Sequence, residues 1–414
     1  MEAVGGACED SDVSDFQVRV AKPDDYDAMM RTFGAALMFE FPLDEKYRAA
    51  FEPDRALVVT DGDDVVGTAR VLTGDLSVPG AVVPAAHVTG VGVSATHRRR
   101  GILRSMMAEQ LRSTPEALAV LWASEPGIYG RFGYGAAAWF VSYEVDLPRI
   151  RPQRAESTGR VRRLPADGAG KVLAPVLEHL QRHRPGVSGR DETWWELRLQ
   201  DLPEWRHGRS AREILVHEDE SGTIDGYAMW RGKFGSGPGG IANEISLEEL
   251  VATNLTAYQA LWNHLLTMDL STKLNFGYAA VDEPVMQLVG NTEALERRIC
   301  ESLWVRITDV VRALEQRRYA TNVDLVLEVS DELLPDNAGR YRLSGDGEKA
   351  RCERTDATPD LALSVTALGA AYLGGRSLAE FAVTGEVREL SPGALATASA
   401  TFGWPVAPAS IEVF

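Results

Sequence analysis

Four arginines surround a glycine where the sequence changes from a strand pattern to a helical pattern. The apolar run 88–93 predicts a strand, and the apolar spacing over residues 102–111 predicts a helix that begins directly after Gly101. The free backbone N–H groups of a helix start attract anions, and a glycine lets an anion approach without meeting a Cβ atom. The sequence therefore predicts a pyrophosphate site at this turn. Its basic side chains are Arg98, Arg99, Arg100 and Arg104.

A second group with chemical potential is a pair of tyrosines in the glycine-dense segment 127–135. A phenol with a pKa of about 10 can act as a general acid, provided that it lies within hydrogen-bond reach of the group that it protonates. Tyr129 and Tyr134 are the two candidates. Aromatic residues in glycine-rich turns also often only pack, so the residues alone leave a catalytic and a structural interpretation open.

These motifs carry a resemblance to a known family. The arrangement Arg98-x-x-Gly101-x-Leu103 after a Val-x-Val strand resembles the acetyl-CoA motif of the GNAT acetyltransferases, which usually have Gly or Ala in place of Leu103. The segments THRRRGILR (96–104) and ASEPGIYGRFGYG (123–135) are similar to the enhanced-intracellular-survival (Eis) family of actinobacterial acetyltransferases, as is a chain that ends in Phe414. The similarity extends more weakly over the whole chain.

The resemblance implies how acetyl-CoA is bound. The strand before the helix would offer its backbone to the pantetheine arm, and the turn would hold the pyrophosphate, while Ser124 and Glu125 match positions near the thioester. The implied pantetheine residues are Val91, Gly92 and Val93. The implied pyrophosphate residues are Arg99, Arg100, Gly101, Ile102, Leu103 and Arg104.

The resemblance also implies two catalytic groups. Tyr129 matches the general acid, with Tyr134 as the competing candidate. The tail 402–414 is extended, contains prolines and ends in an aromatic residue, which predicts that it is buried. By resemblance, the terminal carboxylate of Phe414 is the general base, whereas the simpler interpretation is that Phe414 only anchors the last domain.

The elements around these motifs predict a mixed α/β chain of three domains. Strand, acidic turn and strand over residues 55–72 are repeated at 212–230, but the turn that follows the second repeat, at 252–257, lacks Arg-x-x-Gly. By resemblance these are two tandem GNAT-type domains, of which the second has lost its cofactor site. The expected divisions are a disordered lead-in (1–15), an active GNAT domain (16–148), a degenerate GNAT-like domain (149–300) and a sterol-carrier-like α+β domain (301–414).

Two further expectations concern the junctions of these domains. An Arg/Pro-rich stretch over residues 148–159 predicts an inter-domain connection. The segment 303–315 is predicted to be a helical passage into the third domain. That domain's short strands, acidic turns and two late helices resemble a sterol carrier at the level of the fold, which does not imply lipid carriage.

Composition narrows the function classes. With 60 acidic against 43 basic residues the net charge is −17, which argues against general nucleic-acid binding and suits a cationic small molecule. The cysteines Cys8, Cys300 and Cys352 show no metal or disulfide spacing, and no metal site is expected. The sequence shows no membrane-span or signal-peptide pattern, so the cytoplasm is the expected location, although relatives can act outside the cell.

Two hypotheses from different classes follow. The first is an acetyl-CoA-dependent N-acetyltransferase that transfers acetyl directly to amines of cationic small molecules of the aminoglycoside type, and to lysine side chains, within a homo-oligomer that the resemblance implies to be a hexamer. The second is a non-catalytic protein that binds CoA, a lipid or a partner. The turn at Arg99 and Gly101, together with Tyr129, favours the enzyme.

Overall fold

The computed structural model describes residues 16–41, 43–151 and 158–414. The predicted lead-in 1–15 lies outside the described residues, as do residues 152–157 of the predicted connection. The chain divides into two compact units. The first is Met1–Leu72 with His87–Pro115, and the second is Thr73–Ala86 with Glu116–Phe414.

The first unit contains an antiparallel sheet with helices on both faces. Its strands are β1 (Val18–Val20), β2 (Ala56–Asp61), β3 (Asp64–Val78) and β4 (Ala81–Val93), of which β3 and β4 extend into the second unit. Its helices are α1 (Tyr26–Leu37), α2 (Glu45–Ala49) and α3 (Ile102–Ser113). The predicted hairpin is present, because Asp61 pairs with Asp64 and Gly62 takes a left-handed φ of 59° between them.

The two faces of this sheet carry different helices. Ala69 of β3 packs in one core cluster with Ile102 and Met106 of α3. A Cβ atom added at Gly92 of β4 would lie 3.2 Å from Phe33 and Ala36 of α1. Successive residues of a strand point to opposite faces, so α3 covers one face and α1 the other.

The second unit contains the rest of the chain. Its first strands are β5 (Leu118–Trp122), β6 (Gly135–Ala136), β7 (Trp139–Asp146), β8 (Arg160–Leu164), β9 (Glu213–Glu218), β10 (Ile224–Lys233), β11 (Ser236–Gly237), β12 (Gly240–Ile241), β13 (Asn243–Ala252), β14 (Ser271–Ala280), β15 (Leu295–Glu301) and β16 (Leu303–Ile307). The helices among them are α4 (Pro126–Tyr129), α5 (Ala169–His183), α6 (Glu192–Leu199), α7 (Leu255–Leu266) and α8 (Val285–Leu288).

A seven-stranded sheet in the second unit has the order β15-β7-β14-β13-β10-β9-β8. Strands β13 and β14 are parallel, but their pairing runs only from Asn243 to Leu247 although β13 continues to Ala252. The two strands therefore separate before the helix α7 begins. The predicted repeat is present as β9, β10, β13 and α7.

The last part of the second unit is an α+β arrangement. Its strands are β17 (Val323–Ser330), β18 (Gly339–Gly345), β19 (Ala350–Arg354), β20 (Leu361–Ser364) and β21 (Val387–Glu389), in the order β19-β18-β17-β20-β21. Its helices are α9 (Val310–Glu315), α10 (Val365–Ala371), α11 (Leu378–Ala382) and α12 (Ala394–Phe402). The described strands and helices agree with the predicted mixture of strands and late helices.

The predicted helical passage at 303–315 is wrong in its first half. Leu303–Ile307 is the strand β16, and only Val310–Glu315 is helical, as α9. Strand β16 pairs with β5 and β6, far earlier in the chain, and β7 pairs with β14 and β15. Strands on either side of the predicted boundaries thus share sheets, which local periodicity could not show. The boundaries at 148/149 and 300/301 stay a prediction.

The structure also bears on two expectations from the sequence, which concern the cysteines and membrane-spanning helices. Cys300 and Cys352 are free thiols, and Cys8 lies outside the described residues. No helix in the described ranges has both the length and the apolar character needed to cross a membrane.

Candidate active site

The arginine-rich turn has the backbone that an anion site requires. Gly101 precedes α3 with φ 76° and ψ −10°, a left-handed conformation that a glycine adopts without strain, and Arg99 also has a positive φ of 62°. The first helical hydrogen bond runs from the Ser105 N–H to the Gly101 carbonyl at 3.0 Å. The N-cap residue Gly101 has no side chain that could cap this helix, which leaves its first N–H groups for a ligand.

The arginines of the turn fall into two groups. Arg98 donates to the carbonyl of Ala36 at 3.2 Å, and the guanidinium of Arg100 lies 4.4 Å from the ring centre of Phe16. Arg99 and Arg104 are exposed, and neither makes a hydrogen bond or ion pair to a described side chain. Uncapped N–H groups next to two uncommitted guanidinium groups fit a pyrophosphate.

The strand before the turn keeps its side chains occupied. Val91 and Val93 pack against the core cluster under α3, and Gly92 is buried against α1. Gly90 has a φ of 61°, which interrupts the extended backbone just before them. The predicted pantetheine contact needs only backbone groups of these three residues.

The two candidate tyrosines lie together in the second unit. Tyr129 ends α4 and its ring centre lies 5.9 Å from that of Tyr134, in an edge-to-face arrangement. Burial, with the charge of Glu125, raises the pKa of Tyr129 to about 12. Tyr134 is completely buried, its hydroxyl has no hydrogen-bond partner among the described residues, and burial raises its pKa further. Tyr129 is the less enclosed of the two.

The residues between β5 and Tyr129 are accessible. Ser124 and Glu125 are exposed, and Glu125 stands at the start of α4, where its carbonyl accepts from the Ile128 N–H at 3.1 Å. Trp122, at the end of β5, is half-buried. The structure therefore leaves both predicted thioester-side residues open to a ligand.

The C-terminal tail is held at two points. The indole N–H of Trp122 donates to the Ser410 hydroxyl at 3.1 Å, and this hydroxyl donates to the carbonyl of Glu412 at 3.1 Å. Two residues further, Phe414 packs against a core cluster that combines residues of the third predicted domain with residues of β3, β4 and β5. Four residues span at most about 14 Å, so the chain end lies near the end of β5. The tail was predicted to be buried, and it is buried only in part, at Pro408, Ala409 and Ser410, while Phe414 is half-buried.

The second hold on the tail is an ion-pair cluster. Buried Arg190 binds the carboxylate of Glu412 and both carboxylate oxygens of Glu249, at 2.9 and 2.7 Å for the latter. The Tyr227 hydroxyl donates to Glu249 at 2.6 Å. Burial opposes ionisation of Glu249, but the charges of Arg190 and Arg198 outweigh it and lower its pKa to about 2.

The turn between β13 and α7 differs from the arginine turn. Asn254 caps α7, because its side-chain oxygen accepts from the Ala257 N–H at 2.9 Å. The Asn254 amide donates to Asp225 at 2.7 Å, and the Thr253 N–H donates to the Asp225 carbonyl. This helix start is satisfied by its own chain, which agrees with the predicted loss of a cofactor site.

Sequence reasoning missed the residues that hold the tail. Arg190 and Glu412 are 222 positions apart, and Trp122 and Ser410 are 288 apart, so no local spacing signals either contact. The only available hint was an isolated aromatic residue and isolated charges in apolar surroundings. Within the ranges that the structure describes, no group of three or more His, Cys, Asp or Glu side chains could hold a metal ion.

Comparison with known proteins agrees with this architecture. Residues 17–137 and 186–307 match two acetyltransferase (GNAT) domain families, and residues 310–410 match the sterol carrier protein domain family. An uncharacterized N-acetyltransferase of Streptomyces avermitilis is 43% identical, over 94% of this chain and 98% of its own. The N-acetyltransferase Eis of Mycobacterium tuberculosis is 34% identical, over 83% of this chain and 85% of its own.

A solved structure gives the same result. The crystal structure of Eis1 from Mycobacterium abscessus superposes with a TM-score of 0.83 and is 32% identical, covering 96% of this chain and 100% of that chain. The predicted fold of two tandem GNAT domains and a sterol-carrier-like domain is confirmed. The relatives are N-acetyltransferases, so the chain is an acyltransferase and not the non-catalytic binding protein that the sequence left open. It belongs to the Eis family of N-acetyltransferases.

Proposed function

We propose that the enzyme transfers acetyl from acetyl-CoA to primary amines of cationic small molecules of the aminoglycoside type, and to lysine side chains. The observation that carries this proposal is the uncapped start of α3 beside Arg99 and Arg104, which have no protein partner among the described residues. The backbone of Val91, Gly92 and Val93 would bind the pantetheine arm, and Arg99, Arg100, Gly101, Ile102, Leu103 and Arg104 the pyrophosphate.

The reaction needs one base and one acid. The amine nitrogen attacks the thioester carbon and forms the C–N bond, the C–S bond breaks, and the amine proton leaves the nitrogen. We assign its removal to the terminal carboxylate of Phe414 and the protonation of the departing thiolate to Tyr129. The Tyr129 hydroxyl is protonated at neutral pH, since burial raises its pKa to about 12.

The tail supports the assignment of the base. An α-carboxylate is a weak base at its usual pKa of about 3.5, and removal from water raises that value because desolvation disfavours the charged form. Phe414 is half-buried, and the contacts of Ser410 and Glu412 restrict the chain end. Ser124 and Glu125 are assigned to the thioester side of the site.

The choice of a cationic acceptor is supported by charge. The net charge of −17 attracts cations over long distances and disfavours polyanions such as nucleic acids. Family resemblance supports a homo-hexamer. In this proposal the sterol-carrier-like domain supplies the C-terminal tail of the active site, and no lipid ligand is assigned to the domain.

The test is thiol release from acetyl-CoA with a panel of aminoglycosides, polyamines and lysine peptides, corrected for hydrolysis without amine. We expect turnover with cationic amines and loss of turnover in Tyr129→Phe. No thiol release above the hydrolysis background with any member of the panel would contradict the proposed function.

A further inference from the structure

The C-terminal tail lies along one short segment of the second GNAT-type copy. This segment, residues 184–190, lies between α5 and α6, and we call it the tail seat. The Ala409 N–H donates to the carbonyl of Pro185 at 2.9 Å, and a Cβ atom added at Gly186 would lie 2.8 Å from the Ala409 carbonyl oxygen. The backbone of the tail therefore packs directly against the backbone of the tail seat.

An ion pair at the start of the tail seat binds both backbone groups of Ala407. Arg184 donates to the Ala407 carbonyl at 2.7 Å and to the carboxylate of Asp282 at 2.6 Å. The same carboxylate accepts from the Ala407 N–H at 3.2 Å. Both contacts to the tail are charge-assisted hydrogen bonds, which are stronger than those between neutral groups. The ion pair thus fixes the path of the backbone and not a side chain of the tail.

A second ion pair, at the end of the tail seat, binds the tail close to its last residue. Buried Arg190 binds the carboxylate of Glu412 and is also paired with Glu249. Ile411 packs against the core cluster that contains Val187 of the tail seat. The tail is therefore held at both ends of this stretch, and the last hold lies two residues before the chain end.

The tail seat is itself held in place by the end of β3. The Gly186 N–H donates to the Ser77 carbonyl at 2.7 Å, and the Ser77 N–H donates to the Val187 carbonyl at 2.9 Å. The Asp75 carboxylate accepts from the Gly189 N–H at 2.8 Å. Connections between helices are usually more mobile than the helices, but this one is hydrogen-bonded to β3 on one side and to the tail on the other. It can therefore act as a rigid support.

Such dense contacts are unusual for a chain end. Terminal residues are commonly frayed, because fixing their backbone costs conformational entropy that few contacts offset. Here the contacts continue to Glu412, and the residue at the chain end carries the proposed base. A general base has to lie within hydrogen-bond reach of the proton that it removes, and a misplacement of about 1 Å can slow a reaction by about 10²-fold. The position of this chain end therefore matters for the chemistry.

We propose that the two ion pairs of the tail seat hold the terminal carboxylate of Phe414 where it can accept the proton of the amine. Arg184, Asp282 and Arg190 are then positioning residues, which act through the tail and are assigned no contact with the amine or with acetyl-CoA. The inference rests on the proposed function and deepens it. It gives the second GNAT-type copy a part in catalysis that does not involve a cofactor.

The experiment combines substitutions at the two ion pairs with an extension of the chain after its last residue. The variants are Arg184→Ala, Arg184→Lys, Glu412→Ala and Glu412→Gln. The control is Arg182→Ala, an exposed arginine in the last turn of α5 that donates to Glu178. Each variant is made in the wild-type chain and in a chain extended by a few residues. Steady-state kinetics give kcat and the KM of the amine, and calorimetry gives the affinity for acetyl-CoA.

In the wild-type chain, Arg184→Ala and Glu412→Ala should each lower kcat by about tenfold or more and leave acetyl-CoA affinity unchanged, because a small displacement of the base slows proton transfer. Arg184→Lys and Glu412→Gln should restore part of the rate, and Arg182→Ala should keep it. In the extended chain the base is already displaced, so Arg184→Ala should change the residual rate by less than about twofold. An equal loss in both chains would show a general structural effect and overturn the positioning role.

Hydrogen exchange separates this inference from the proposed function. Residues 403–414 should exchange slowly in the wild type and faster in Arg184→Ala, while α5 and α6 keep their protection. If the extension lowers turnover but the ion-pair variants keep the wild-type kcat, the positioning role is wrong and the terminal carboxylate remains the base. If no amine is acetylated, the proposed function fails, and loss of tail protection in Arg184→Ala supports the tail seat alone. Fast exchange of the tail in the wild type would overturn it.

Discussion

The turns after β4 and after β13 join the same kinds of element and have opposite chemistry. At the first, a left-handed Gly101 starts α3 without a cap, beside Arg99 and Arg104, which have no partner in the described part of the chain. At the second, Asn254 caps α7 with its own side chain. Both strands and both helices are kept because they pack, whereas anion binding depends on a few residues of the turn. One fold therefore leaves an open helix start in one copy and has a self-sufficient turn in the other.

In the second GNAT-type copy, buried polar residues bind the C-terminal tail. Its β13 carries Glu249, which is buried and binds Arg190, and the same arginine binds Glu412 of the tail. We infer that the first copy supplies the cofactor turn while the second copy fixes the chain end.

The largest effect is expected at the chain end. Deletion of Phe414, or extension of the chain by a few residues after it, should lower turnover by about 10²-fold or more, in the range for loss of a general base. Acetyl-CoA affinity should be unchanged, because the turn at Gly101 is untouched. Steady-state kinetics and calorimetry measure the two quantities, with the same extension at the N-terminus as the control. Full activity of a stable C-terminally extended protein would refute the carboxylate role, and unfolding on deletion would favour the anchor alone.

Acid should weaken the ion-pair cluster of Arg190 and Glu249 that holds the tail. The pKa of Glu249 is lowered to about 2 in the folded protein from its ordinary 4.5. Its contribution to stability is therefore complete above pH 4.5 and is lost as the pH falls toward 2, amounting to on the order of 3 kcal/mol. Denaturant unfolding between pH 7 and pH 3 should show a shallower pH dependence in Glu249→Gln than in the wild type. Identical slopes would argue against a charged Glu249.

The turnover of the Tyr129→Phe and Tyr134→Phe variants should differ by about 10²-fold. Tyr129→Phe removes the proposed acid and should lower kcat by roughly that factor with little change in acetyl-CoA affinity. Tyr134→Phe removes only a buried hydroxyl that has no partner among the residues that the structure describes. Because burial raises the pKa of Tyr129 to about 12, kcat should not decline near pH 10, where an ordinary tyrosine would lose its proton. A wild-type rate in Tyr129→Phe would transfer the role to Tyr134 or to water.

The smallest effects are expected at the two helix starts. Gly101→Ala places a side chain on a left-handed backbone, which costs about 1–2 kcal/mol, and should also weaken acetyl-CoA binding. Asn254→Ala removes a cap, which costs about 1 kcal/mol of stability, and should leave acetyl-CoA binding unchanged. Denaturant unfolding and calorimetry on both variants measure the difference. Equal loss of affinity in the two would end the distinction between the turns.

Sequence reasoning succeeded where the signal is local. The arginine turn, the hairpin before it and the missing motif at 252–257 are each contained in short segments, and the structure places the corresponding elements accordingly. It failed for Leu303–Ile307, whose apolar run is equally compatible with a buried helix and a buried strand. The partners that decide the matter, β5 and β6, lie far away in sequence.

Buried polar contacts were beyond the sequence for the same reason. Nothing near Arg190 indicates that Glu249 and Glu412 complete its pairing. The roles of the candidate site residues stay predictions, because geometry shows their positions and not their chemistry.

The central claim is that the turn at Gly101 binds acetyl-CoA and the turn at Asn254 does not. Calorimetric titration with acetyl-CoA tests it most directly. We predict that one molecule of acetyl-CoA binds per chain and that Asn254→Ala has wild-type affinity. The double variant Arg99→Ala with Arg104→Ala should bind about 10²-fold or more weakly, since charge-assisted hydrogen bonds contribute roughly 1.5–3 kcal/mol each before solvent screening. Two molecules per chain, or unchanged affinity in the double arginine variant, would contradict the account.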